Sequence, residues 1–161
     1  MKRLSIPVAL ALLFCVACNF SQGVKKDLNT GLTTHYKGFR IDDSFLADES
    51  GNKISSNKVD MGTTLFIIAT GVTNYKEKNE RVYPGCKIVL TDASGKELLN
   101  LPDAFADMKD GFKPEEATRL SARLSTGDPM QKGASYNLKA TFFDKENKES
   151  LIVSEVKLEM K

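Results

Sequence analysis

Leu120-Ser121-Ala122-Arg123-Leu124-Ser125 alternates one apolar with one polar residue over six positions. This is the period of a β-strand with one face in a core and the other in water; a helix, repeating near 3.6, would scatter these apolar residues around its axis. The same alternation recurs towards the carboxy terminus. Tyr136, Leu138, Ala140 and Phe142 oppose Asn137, Lys139 and Thr141, and Ile152, Val156, Leu158 and Met160 oppose Val153, Glu155, Lys157 and Glu159. Towards the amino terminus, Leu65-Phe66-Ile67-Ile68 within Thr64–Val72 is apolar on both parities, which predicts a central strand covered on both sides. Phe39, Ile41 and Phe45 against Arg40, Asp42 and Ser44 give an opening strand, and Cys86 shares its parity with Ile88 and Leu90, marking it as a core residue.

The connectors repeat one chemical theme. Asp48-Glu49-Ser50-Gly51-Asn52-Lys53, Asp92-Ala93-Ser94-Gly95-Lys96 and Asp144-Lys145-Glu146-Asn147-Lys148 each lead with Asp and follow with Gly or Asn. An Asp carboxylate accepts a hydrogen bond from backbone two residues on, and Gly or Asn tolerates positive φ, so these are hairpin turns. Their spacing lacks the dense oxygen ligands of a calcium loop. Gly133-Ala134-Ser135-Tyr136 stands where β-sandwiches carry a tyrosine corner, with the phenol bonded to upstream backbone.

This pattern, over roughly residues 33 to 160, resembles the immunoglobulin-like sandwiches of small bacterial lipoproteins and secreted antigens. The resemblance implies an antiparallel Greek-key sandwich of seven to eight strands. It is architectural, since the Cys-Trp-Cys core of antibody domains has no counterpart in a chain without tryptophan.

The amino terminus carries a different kind of information. Lys2 and Arg3 precede an 11-residue apolar run, Val8 to Cys18, that ends in Val16-Ala17-Cys18. A run this short suits a signal peptide rather than a span, which needs about 20 residues. The ending is similar to the lipobox of bacterial lipoproteins, although Cys15 stands where that family usually has Leu. The resemblance implies cleavage between Ala17 and Cys18, a lipid on the Cys18 thiol, and attachment to the membrane of the cell envelope. Asn19, in place of the aspartate associated with inner-membrane retention, favours the outer membrane. The expected layout is a signal peptide over 1–17, a flexible lipid-anchored tether over 18–34 and a sandwich over 35–161. Removing the signal takes two of the 23 basic residues and leaves 21 against 21 acidic ones, so the remaining chain is formally neutral. That balance argues against a nucleic-acid partner.

Catalytic signatures are sparse. The single histidine, His35, lies beside Tyr36 without a carboxylate that the sequence would place against it, and one histidine with one unlipidated cysteine falls short of the roughly four ligands of structural zinc. The expectation is no catalytic residue, metal or cofactor. Tyr75 and Tyr83 flank the charge-balanced run Lys76 to Arg81, read as a solvated loop.

The longest irregular stretch, Leu101 to Ala117, predicts one or two helical turns with Asp103 as N-cap and Gly111 as stop. Phe105, Met108 and Phe112 would then plug one end of the core, or face a partner as a binding loop. Asp103, Asp107, Asp110, Glu115 and Glu116 make it the first place to look for a bound cation. The functional expectation is a non-enzymatic, lipid-anchored module that binds an envelope or extracellular protein; the alternative is a small-ligand or carbohydrate-binding accessory domain.

Overall fold

A computed structural model describes residues 21–161. Ten strands form in chain order: β1 (Gln22–Lys26), β2 (Thr33–Lys37), β3 (Asp43–Ala47), β4 (Lys58–Val59), β5 (Thr64–Thr70), β6 (Pro84–Asp92), β7 (Glu97–Leu101), β8 (Arg119–Ser125), β9 (Ser135–Asp144) and β10 (Asn147–Met160). They build a β-sandwich, as the period-two pattern requires, with more strands than the seven or eight expected. The large sheet runs β1-β2-β10-β9-β6-β7, with β4 added in parallel along the end of β10, and the small sheet is β3-β5-β8. Strands β6, β9 and β10 lie side by side although β7 and β8 separate the first two in sequence. The chain therefore crosses between sheets in Greek-key order.

The core between the sheets collects one parity of each strand. Leu65, Ile67 and Ala69 of β5 and Leu120, Ala122 and Leu124 of β8 face Cys86, Ile88, Leu90, Leu138, Ala140, Phe142, Ile152, Val156 and Leu158 of the large sheet. Burying each large side chain among these is worth roughly 1.5–3 kcal/mol against leaving it in water. Strand β5 is central in its sheet; Leu65, Ile67 and Ala69 are buried on its core face, and on its other face Ile68 is buried and Phe66 half-buried.

All three Asp-led turns form, Asp92 and Asp144 bonding backbone two residues on as expected and Asp48 reaching four residues on. Asp48 Oδ1 accepts the Asn52 N–H at 2.9 Å, Asp92 Oδ1 that of Ser94 at 2.8 Å, and Asp144 Oδ1 that of Glu146 at 2.9 Å. The tyrosine corner forms too: the Tyr136 hydroxyl accepts the Gln131 N–H at 2.8 Å, closing the link between β8 and β9.

Two expectations are corrected. The stretch expected as a flexible tether up to Thr34 is sheet from Gln22 onward: β1 pairs with β2 from Gln22↔Lys37 to Lys26↔Thr33, and β2 pairs with β10. These residues escaped a strand reading because they satisfy backbone groups more than they bury apolar area. The second correction concerns the opening strand. Asp42 and Asp43 are both exposed, the alternation slips there, and Ser44 points inward while Phe45 turns out, 5.6 Å beneath the Lys53 ammonium. Ser44 is satisfied across the sandwich: Thr34 Oγ1 donates to its Oγ at 3.0 Å, and Ser154 Oγ lies 2.8 Å from Thr34 Oγ1. Three buried hydroxyls thus tie β2, β3 and β10 together without an unpaired donor.

Candidate functional site

The large sheet has seven strands, six of them side by side from β1 to β7, and the small sheet three, so the outermost strands of the large sheet, β1 and β7, overhang the core. Exposed large apolar side chains gather on these two edges: Val24 and Leu28 on the β1–β2 hairpin, and Leu99, Leu101 and Met108 on β7 and the loop after it. Leu99 and Leu101 pair across from the buried Leu90 and Ile88 and share their side of the sheet, yet they stay open because no strand of the small sheet lies opposite.

The loop following β7 continues along the free edge of β6. Asp103 Oδ1 accepts the Cys86 N–H at 3.0 Å and the Phe105 N–H at 2.9 Å, the Ala104 N–H donates to the Cys86 carbonyl at 2.6 Å, and Phe112 exchanges two 2.9 Å backbone bonds with Val82. The Lys145 ammonium sits 2.8 Å from Asp103 Oδ2 and donates to the Phe105 carbonyl at 3.0 Å. Burial pushes the Asp103 carboxyl up, but the hydrogen bonds from Lys145 and the two N–H groups outweigh it and hold it below the ordinary carboxylate range. Gly111 adopts a φ of 65°, where a Cβ would lie 2.7 Å from the Tyr83 ring and 2.8 Å from the Val82 carbonyl.

Of the predicted loop residues, Phe105 and Phe112 are half-buried, Phe105 against the core, and Met108 points into solvent. The plug is thus formed in part, and Met108 does not belong to it. Before Gly111 the chain forms isolated hydrogen-bonded turns and no continuous helix, with the Ala106 N–H donating to the Asp103 carbonyl at 3.4 Å and the Met108 N–H to the Phe105 carbonyl at 3.1 Å. The helical turn comes after it, a 3₁₀ turn over Pro114–Ala117, where Pro114 presets φ and the Glu116 carboxylate accepts the Lys113 N–H at 3.0 Å. Asp103 captures backbone N–H groups of a strand and a turn instead of starting a helix.

The other singled-out residues are placed as follows. Ala17 and Cys18 lie outside the described residues. Cys86 is fully buried, and burial, followed by the nearby Asp103 charge, pushes its thiol up to about 12, so it packs as an apolar group. His35 is exposed on the outer face of β2, between Val24 and Val153 in the register. Tyr75 is no open platform: its hydroxyl donates to the Ala117 carbonyl at 2.9 Å and its ring meets Phe39 edge-on at 4.9 Å. Lys78 and Arg81 close the solvated run between Tyr75 and Tyr83 with two backbone bonds. Among the described residues, no three His, Cys, Asp or Glu side chains converge as metal ligands, the acidic loop included.

Two shallow grooves cross the outer face of the large sheet. One of about 430 Å³ is lined by Thr33, Thr91, Asn137, Lys139, Glu155 and Lys157 among others, with Lys139 and Glu155 paired at 2.7 Å. The second, about 450 Å³, lies over β1, β2 and β10 and is walled by Val24, Leu151 and Val153. Sequence periodicity showed that Asn137, Lys139, Val153, Glu155 and Lys157 face outward; the strand that carries Val24 and the side-by-side placement of distant strands that makes the grooves were not visible in it.

No protein-family model and no curated protein matches the chain. Solved structures do: 13 chains are similar, among them the C-terminal domain of wzt, with a TM-score of 0.50 and 10% sequence identity over 89% of this chain and 79% of that one. The shared feature is the β-sandwich. At this identity the likeness carries the fold, and the site has to be argued from this chain's own residues.

Proposed function

We propose that the chain is a non-enzymatic, lipid-anchored protein of the cell envelope whose sandwich binds a protein partner through the β7 edge and the loop pinned by Asp103. The observation that carries this reading is the overhanging edge itself. Leu99, Leu101 and Met108 are open to solvent beside a strand with one unpaired backbone side, on a loop held in place by Asp103 and Lys145. Exposed apolar edges attract strands or apolar side chains of another chain, and a rigid base lowers the ordering cost of binding. The anchor is supported by Val16-Ala17-Cys18 behind an apolar run with a basic head, and by Asn19 for the outer membrane.

Photo-crosslinking groups placed in cells at Leu99, Leu101 and Met108 should each yield the same discrete adduct, and Leu101→Glu should abolish it at the other two. Adducts no different from those at Arg123, exposed on the outer face of β8 in the small sheet, would overturn the partner reading. Radioactive palmitate should label the chain, and Cys18→Ala should remove the label and release the protein from membranes. A label that survives Cys18→Ala would overturn the anchor.

The second reading, a small-ligand or carbohydrate-binding accessory domain, is favoured by the groove of about 430 Å³, whose Thr, Asn, Lys and Glu side chains offer donors and acceptors on a rigid sheet. A thermal-shift screen with glycans should raise the melting temperature if this reading holds, and Asn137→Ala should remove the effect.

A further inference from the structure

The described chain is held from its first residue, because the Gly38 N–H donates to the Ser21 carbonyl at 2.7 Å and β1 begins at Gln22. Cys18 is three positions before Ser21, which at full extension is a reach of about 10 Å. A lipid on Cys18 would therefore keep the β1–β2 edge at the surface of the bilayer, with little chain left to act as a spacer.

That edge has a composition suited to such a place. Val24 and Leu28 are 61% and 85% exposed, the highest values among the large apolar side chains of the described residues, against 46% for Met108. Lys25 and Lys26 sit between them, and Lys26 is exposed. The one acidic residue of the turn is withdrawn: the Asp27 side chain is buried, its Oδ1 accepts the Asn29 N–H at 2.9 Å, and its Oδ2 lies 3.6 Å from the Lys53 ammonium. The hairpin thus shows solvent leucine, valine, asparagine and lysine without an open carboxylate at its tip. Behind Val24, the groove of about 450 Å³ adds Leu151 and Val153 to the same outer face. Apolar side chains flanked by lysines are the arrangement that settles into the boundary between headgroups and acyl chains.

We infer that the β1–β2 hairpin is a second membrane contact: Val24 and Leu28 enter the interfacial layer of the bilayer that holds the Cys18 lipid, while Lys25 and Lys26 meet headgroup phosphates. This rests on the lipid anchor proposed above. Contact this close to an anchor is intramolecular, so a surface that would bind lipid weakly on its own is held there at an effective concentration of millimolar order or more. The sandwich then lies on the membrane by its β1 edge, and the β7 edge, at the other side of the same sheet, is directed away from the lipid.

The test uses the full chain, processed and lipidated, in vesicles of phosphatidylethanolamine and phosphatidylglycerol. Val24→Cys, Leu28→Cys and Met108→Cys, each labelled with an environment-sensitive fluorophore, are exposed to lipids carrying a nitroxide on the acyl chain; Cys86 is buried and takes no label. Quenching several-fold stronger at positions 24 and 28 than at 108 is expected. Unquenched probes at 24 and 28 on a chain that retains its palmitate label overturn the membrane contact while leaving the anchor standing. Absence of the acyl label overturns both. Probes at 24 shielded equally in lipid-free detergent, in proportion to protein concentration, assign the edge to a second copy and also overturn it.

Discussion

The carboxylate of Asp103 receives the backbone N–H of Cys86 at 3.0 Å, seventeen positions back along the chain and on a different strand. An aspartate side chain here takes the role of a strand carbonyl, extending the edge pairing of β6 beyond the end of β7. The same oxygen also takes the Phe105 N–H, and Lys145 neutralises the other one. The loop that carries Met108 is therefore fixed at its base by one side chain.

Asp103→Ala removes the acceptor of two N–H groups and strands Lys145. A loss of about 1–3 kcal/mol in denaturant unfolding is expected, with faster proteolysis inside residues 104–111. The carboxyl is held below its ordinary range in the fold, so its stabilisation is present above the unfolded value near 4 and is lost as pH falls through the lowered native value. Asp103→Asn should therefore flatten the acid limb of the stability profile.

Tyr136→Phe keeps the buried ring and deletes the oxygen that accepts the Gln131 N–H. The expected cost is about 1–3 kcal/mol, measured by chemical denaturation, because that donor is left without a partner. Unchanged stability would mean that the corner does not hold the connection between β8 and β9.

Gly85 lies opposite Phe143, and a Cβ at Gly85 would come within 2.2 Å of the ring. Gly85→Ala should destabilise by roughly 1–3 kcal/mol through overpacking. In combination with Phe143→Leu the loss should be smaller than the sum of the two single changes, since removing the ring removes the clash.

Cys86 supplies a test at alkaline pH. The native thiol keeps its proton up to about 12, whereas the unfolded chain gives it up near 9. Between those values the native state binds more protons than the unfolded state, so stability falls as pH rises through this window. Cys86→Ala should reduce that slope, at the cost of some packing at neutral pH. Iodoacetamide should label native Cys86 only at the rate of global unfolding.

Some features were readable in the chain because their causes are local. Alternation in Leu120–Ser125 and Tyr136–Phe142 states which side chains share a face, Asp48, Asp92 and Asp144 bond backbone within a few residues of themselves, and Tyr136 reaches only five residues back. Cys86 was legible as core by its parity with Ile88 and Leu90. The β1–β2 hairpin was not, since Lys25, Lys26, Thr33 and Lys37 are kept in the sheet by backbone pairing and carry little apolar signal. The inward turn of Ser44 was hidden for a related reason: its partners, Thr34 and Ser154, are 10 and 110 positions away.

Strand periodicity, turn chemistry and the basic-apolar-cysteine head are written in neighbouring residues, where sterics and local hydrogen bonds act. Which surfaces stay open was settled at the level of sheet widths. Leu99 and Leu101 have the same chemistry as the buried Leu90 and Leu138, and the difference is that a three-stranded sheet cannot cover a seven-stranded one. Burial depends on what lies opposite, and no stretch of sequence carries that by itself.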